Sequence, residues 1–137
     1  MPEQHPGDPA ARTRRADTAS YTAPADLTVV RTFVCARAVA LGLPPLRAEL
    51  LVLAVNELAT NTLQHASGGG TVRLWAEAGR LYCEVLDGGP MRTFGRDMPP
   101  ADAPGGRGLA IVERICDEVT AFAAPGGTVV RMRLDLH

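Results

Sequence analysis

The chain contains no lysine: all fourteen of its basic residues are arginine. That absence excludes a Walker A phosphate loop, which needs a lysine ammonium beside the β- and γ-phosphates. A phosphate binder built from this sequence has to use arginine, backbone amides or a metal. Long apolar runs are missing too. No stretch approaches the roughly 18 uninterrupted apolar residues of a membrane span, and no apolar h-region follows the N-terminus. Nor is there an excess of either charge. The formal net charge is −1 and the pI is near 6.3, so nothing in the average draws the chain to nucleic acid or to anionic lipid. Cysteine is sparse. Cys35, Cys83 and Cys116 sit inside apolar stretches at spacings that match neither a zinc site nor a CxxC pair, and they read as core residues of a reduced compartment. Together these absences point to a cytoplasmic protein with neither nucleic acid nor a membrane as a direct partner. The length, 137 residues, is that of one domain.

Residues 1–18, rich in Pro, Ala, Arg and Thr without periodicity, read as a disordered tail carrying Arg12, Arg14 and Arg15. Residues 19–137 read as the folded domain. Ser20 to Ala23 could form a short edge strand before Pro24. Asp26 is expected to cap a helix running to Leu41, with Val29, Val30, Phe33, Val34, Ala38 and Leu41 at helical spacing and Gly42 as its stop. After Pro44-Pro45, LRAELLVLAVNELATNTLQH reads as a second helix, Leu46 to His65, apolar nearly all round until Asn56 and therefore central and buried. Ala66 to Gly70 closes it. Two strands follow, Thr71–Ala78 and Leu81–Asp87, joined at Gly79-Arg80. Residues 88–107 hold few large apolar residues and read as a long functional or disordered loop. A third helix over Gly108–Cys116 and strands Val119–Ala123 and Thr128–Leu136 complete the chain. This order predicts an α+β fold, a two-layer α/β sandwich whose antiparallel or mixed sheet carries three helices on one face.

Three stretches could carry chemistry. On the second helix Glu57, Asn61 and His65 are spaced by four, each about 40° round and about 6 Å along from the last. Such a polar stripe either lines a cleft or forms a solvated helix end. Asp87-Gly88-Gly89 stands where a strand ends. The carboxylate could accept a hydrogen bond from an exocyclic amine while the glycines admit a flat ring, although Asp-Gly-Gly is also an ordinary turn. Gly105-Gly106-Arg107-Gly108 leads into a helix, where free amides favour an anion and Arg107 can add a bidentate contact; the alternative is a flexible loop end.

The order of these stretches resembles that of the GHKL, or Bergerat-fold, ATPases. NELATNTLQHA (Asn56–Ala66) looks like their N box, VLDGG (Val85–Gly89) like the first glycine box and GGRGLAIV (Gly105–Val112) like the second. Thr128, after Gly126-Gly127, resembles the family's threonine near adenine. A free-standing domain with RTFVCARAVALGL before the N box is most similar to the bacterial anti-sigma factor serine/threonine-protein kinases. The first glycine box usually reads DxGxG, and Met91 holds its last position here; Gln64 stands where some relatives have a basic residue.

The resemblance implies ATP and Mg²⁺ as cofactors. It implies Glu57 as the general base, Asn61 as a ligand of Mg²⁺, and Asp87 as the acceptor from the adenine amino group. Gly89 would bring backbone near the ring. Gly106, Arg107, Gly108 and Leu109 would contact phosphate, Thr128 would lie by the adenine, and Pro90 to Gly105 would form a lid, with Arg92 or Arg96 helping Arg107 to balance phosphate charge. A sigma factor and an anti-anti-sigma antagonist are the implied partners, and a homodimer is the implied assembly. Three activities fit: phosphorylation of the antagonist, nucleotide-dependent protein binding without transfer, and plain ATP hydrolysis.

Overall fold

The structure, a computed structural model, describes residues 16–65, 68–87, 106–124 and 127–136. The elements in chain order are β1 (Asp17–Tyr21), α1 (Asp26–Ala40), α2 (Pro45–His65), β2 (Gly70–Glu77), β3 (Arg80–Asp87), α3 (Gly106–Ile115), β4 (Glu118–Ala124) and β5 (Gly127–Asp135). The strands form one sheet in the order β1-β2-β3-β5-β4, and each of its pairings is antiparallel. The fold is the expected α+β sandwich with helices on one face, and the sheet is purely antiparallel rather than mixed.

Strand alternation divides the sheet cleanly. Val72, Leu74, Leu81, Cys83, Val85, Val130, Met132 and Leu134 face the helices and share one buried cluster with Val30, Val34 and Ala38 of α1 and Leu51, Val55 and Leu58 of α2. Two expectations need correction. The run of apolar residues on α2 does not make it buried all round, because Leu46, Leu50 and Leu53 stay exposed on its outer side. On α1, Val29 is exposed and Leu27 takes the inward position. A continuous apolar run carries no phase, so it cannot say which side faces the core.

Several boundaries also move. β1 begins at Asp17, inside the stretch read as tail; residues 1–15 lie outside the described residues. Asp26 is the first residue of α1 rather than its cap. Its carboxylate reaches back to accept hydrogen bonds from the backbone N–H of Thr22 (2.9 Å) and Ala23 (3.1 Å), pinning the chain between β1 and α1. The β2–β3 hairpin turns at Ala78-Gly79, one residue earlier than expected. Both residues have positive φ, 54° and 77°, the requirement of a type I′ turn. α3 starts at Gly106 rather than Gly108, so that the glycines form its first turn.

The sheet face away from the helices is sealed by its own side chains. Glu84 is 1% exposed, held by Arg73 at 2.6 Å and by Arg131 at 2.7 Å. Arg131 lies 4.9 Å from the Phe122 ring centroid, and Trp75 stacks on Tyr82 at 5.3 Å. A charged centre framed by aromatics therefore stands where a second helical layer could have packed.

Candidate functional site

The site gathers where β1, β2, β3 and β5 end together. Asp87 is the last residue of β3 and pairs with Thr128 on β5. Alternation from Val85 and Val130 puts both on the helix-facing side of the sheet. Thr128 is 1% exposed, and its Oγ1 is buried without a hydrogen-bond partner among the described residues. A buried hydroxyl in that state costs on the order of 1–3 kcal/mol, so its persistence marks a place where a partner is expected. A cavity of about 400 Å³ opens beside this pair, lined among others by Tyr21, Gly69, Gly70 and Leu86.

The glycines are there for want of space. Gly69 has φ +71°, and a Cβ on it would collide with the Tyr21 carbonyl oxygen. A Cβ on Gly70 would strike the Leu86 carbonyl and the Tyr21 ring. Close approach of β1 and β3 at the head of β2 thus fixes the cavity wall. Sequence reasoning gave Tyr21 and Gly68–Gly70 no part in a site. Three successive glycines at the head of a strand, Gly68–Gly70, are the signal the sequence offers.

The second group stands on α2. Asn61 is 7% exposed and Glu57 is half-buried one turn before it. Thr62 donates to the Leu58 carbonyl at 3.0 Å. Arg31 of α1 donates to the Asn56 side chain at 3.0 Å, which marks the flank of α2 turned to α1. Asn61 lies about 140° round from Asn56, on the flank turned away from it. Neither Glu57 nor Asn61 lines the cavity at the strand ends. Among the expected residues the structure sets Asp87 across from Thr128 on the β3–β5 pairing and Glu57 one turn before Asn61 on α2.

Gly106, Arg107, Gly108 and Leu109 form the first turn of α3, which packs against α2. Their side chains lie outside the described residues, as do that of His65, the whole of Gly88 and Gly89, and the proposed lid with Met91, Arg92 and Arg96. The first-turn amides of α3 have no partner within the helix, which suits an anion. No cluster of three or more His, Cys, Asp or Glu among the described residues could hold a metal by itself. A Mg²⁺ ion at Asn61 would have one amide oxygen from the protein and would need phosphate and water oxygens for the remainder, as this cation commonly does. The residues present fit a nucleotide that brings its own metal.

The family model described as "Histidine kinase-like ATPase domain" matches residues 21–134. No curated protein matches the chain. Among solved structures, the blue-light activated histidine kinase EL346 of Erythrobacter litoralis is 29% identical with a TM-score of 0.53, over 69% of this chain and 32% of that one. The RsbU and RsbW domains of Rv1364c from Mycobacterium tuberculosis give a TM-score of 0.62 at 19% identity, over 87% of this chain and 32% of theirs. The histidine kinase domain of the Escherichia coli osmosensor EnvZ gives 0.50 at 22% identity, over 88% and 89%. The chain thus spans about a third of the length of the first two. No helix among the described residues is long and apolar enough to cross a membrane.

Proposed function

Because this chain belongs to the histidine kinase-like ATPase domain family, we propose that it binds ATP with Mg²⁺ in the cytoplasm and acts as an anti-sigma factor that phosphorylates a serine or threonine of an anti-anti-sigma antagonist. The observation that carries the nucleotide part is the buried Thr128 hydroxyl, without a partner among the described residues, across the β3–β5 pairing from Asp87. A carboxylate beside a hydroxyl, at the mouth of a cavity, is the donor and acceptor set that an aminopurine edge needs. The regulatory part draws on the N box and glycine boxes in the sequence. The fold shared with a structure containing an RsbW domain agrees with it.

In this reading Asp87 accepts from the adenine amino group, Thr128 completes the recognition, and Gly89 lets the ring approach the backbone. The first turn of α3, with Gly106, Arg107, Gly108 and Leu109, neutralises phosphate charge through its amides and the Arg107 guanidinium. Asn61 holds the metal. Glu57 orients the acceptor hydroxyl and takes its proton as its oxygen bonds to the transferred phosphorus. ATP supplies the phosphoryl group, and ADP leaves. Positioning does most of the work in such a transfer, so the spacing of Glu57 and Asn61 on one rigid helix is the protein's main contribution.

The test is phosphotransfer from labelled ATP to purified candidate antagonists by wild-type protein and by Glu57→Ala. The reading requires a phosphorylated serine or threonine with wild type, and loss of labelling with unchanged ATP affinity in the variant. Release of inorganic phosphate with no labelled acceptor would instead identify a plain ATPase, and nucleotide-dependent binding without either would identify a binding module.

A further inference from the structure

Every exposed large apolar residue among the described residues lies on the helical hairpin, on α1 (Val29 and Val39) or α2 (Leu46, Leu50 and Leu53). The three leucines are 77%, 47% and 41% exposed. With steps of four and three residues they fall within about 60° of arc and span about 10 Å of the helix axis. Four residues further along the same face stands Glu57. Val39, in the last turn of α1, is brought beside this end of α2 by the four-residue connection 41–44. Scattered apolar residues need no explanation, but a stripe concentrated on one helix does.

The charges beside the stripe are of one sign. Glu49 is exposed, Glu57 is half-buried, and neither has an ion-pair partner among the described residues. The arginines of the hairpin itself are engaged, Arg37 with Asp17 at 2.9 Å. Arg47 donates to the Asp135 carbonyl at 2.6 Å and to Asp117 at 3.3 Å, and Arg31 donates to Asn56 and to Thr28. The free charge along the stripe is therefore acidic.

Size narrows the occupant further. Three partly exposed leucines present apolar surface on the order of a few hundred Å². That matches one helix laid alongside another, read through anchors at i, i+4 and i+7. A second copy of this chain is disfavoured by charge, because a two-fold pairing of the stripe sets the acidic residues of the two copies side by side. The chain's own basic N-terminal segment, residues 1–15, has Met1 as its only large apolar residue and cannot fill the stripe.

We infer that the Leu46–Leu50–Leu53 face of α2 is a docking surface for an amphipathic helix of another protein, one whose apolar ridge is edged with arginine or lysine. The ridge packs on the leucines and the basic edge meets Glu49 and Glu57. The inference does not depend on the nucleotide reading, since docking needs no ATP.

Fluorescence anisotropy tests it with the full chain, no nucleotide, and a labelled helical peptide carrying leucines at i, i+4 and i+7 edged with arginine. A matched peptide edged with glutamate is the control. The basic peptide should bind saturably and the acidic one at least tenfold more weakly. Leu50→Ala and Leu53→Ala should each weaken binding about tenfold, and Glu49→Arg should erase the preference for the basic edge. These positions are exposed, and thermal unfolding checks that each variant folds as wild type does. Equal affinity for the two peptides, no saturable binding, or indifference to the leucine substitutions would overturn the inference. So would a wild-type dimer in sedimentation that Leu50→Ala converts to monomer, which would assign the stripe to a second copy. Displacement of the basic helix by a peptide copying residues 88–105, which include Arg92, Phe94, Arg96 and Met98, would assign it to the chain itself.

Discussion

Replacing Thr128 with valine should make the free protein more stable and a poorer binder of nucleotide. Valine keeps the β-branched shape of threonine and removes only the polar atom. In the structure that atom, Oγ1, is buried with no partner among the described residues, in a residue 1% exposed. An unpaired buried hydroxyl costs about 1–3 kcal/mol, and its removal recovers that cost with little change in packing volume. For a chain of 137 residues, 1 kcal/mol corresponds to about 4 °C in Tm. Thr128→Val should therefore raise the ligand-free Tm by about 4 °C or more, and raise the urea midpoint without changing the m-value. With ATP the sign reverses, because the lost hydrogen bond of about 1 kcal/mol weakens binding roughly fivefold. Loss of stability in the ligand-free Thr128→Val protein would refute the reasoning, since it would mean that the hydroxyl already has a partner.

Three further outcomes follow from the fold. Glu84→Ala leaves Arg73 and Arg131 without the carboxylate they share, and should cost about 3–5 kcal/mol in urea unfolding. Ala78→Asn supplies the Asn-Gly pair that a type I′ turn favours at a position with φ 54°, and should add about 0.5–1 kcal/mol. The backbone N–H of Thr22 first, and then that of Ala23, hold the Asp26 carboxyl below its usual value of 3.8. A lowered folded value means the contribution is complete above 3.8 and is lost as the pH falls through the folded pKa. Unfolding curves of Asp26→Asn and wild type should accordingly differ at neutral pH and converge in acid. A constant gap across that window would contradict the assignment.

Much of the fold was legible because both periodicities are clean. Val72, Leu74, Val85 and Met132 alternate as half-buried strands must, and Val30, Val34 and Ala38 repeat as a buried helix stripe must. Phase was not legible where apolar residues run on without a break, which is why the exposure of Leu46, Leu50 and Leu53 came only from the structure. The turn at Ala78-Gly79 was misplaced because alanine is a poor signal for positive φ. In the site, Asp87 is a candidate from its glycine neighbours and Thr128 only from the family resemblance, while their pairing across β3 and β5 depends on strand order, which the sequence does not state. Tyr21 and Gly70 went unnoticed for a similar reason, since their contact joins segments about fifty residues apart. That Glu57 and Asn61 share one helix face is legible from spacing alone, because helical periodicity is local.

Calorimetric titration with ATP in the presence of Mg²⁺, on wild type and on Asp87→Asn, tests the central claim most directly. Saturable heat with wild type, a matching rise in Tm of the kind that ligand linkage requires, and the loss of both in Asp87→Asn are the predicted results. An absence of heat and of thermal shift with wild type at millimolar nucleotide would contradict the nucleotide site. Undiminished affinity in Asp87→Asn would remove Asp87 from it.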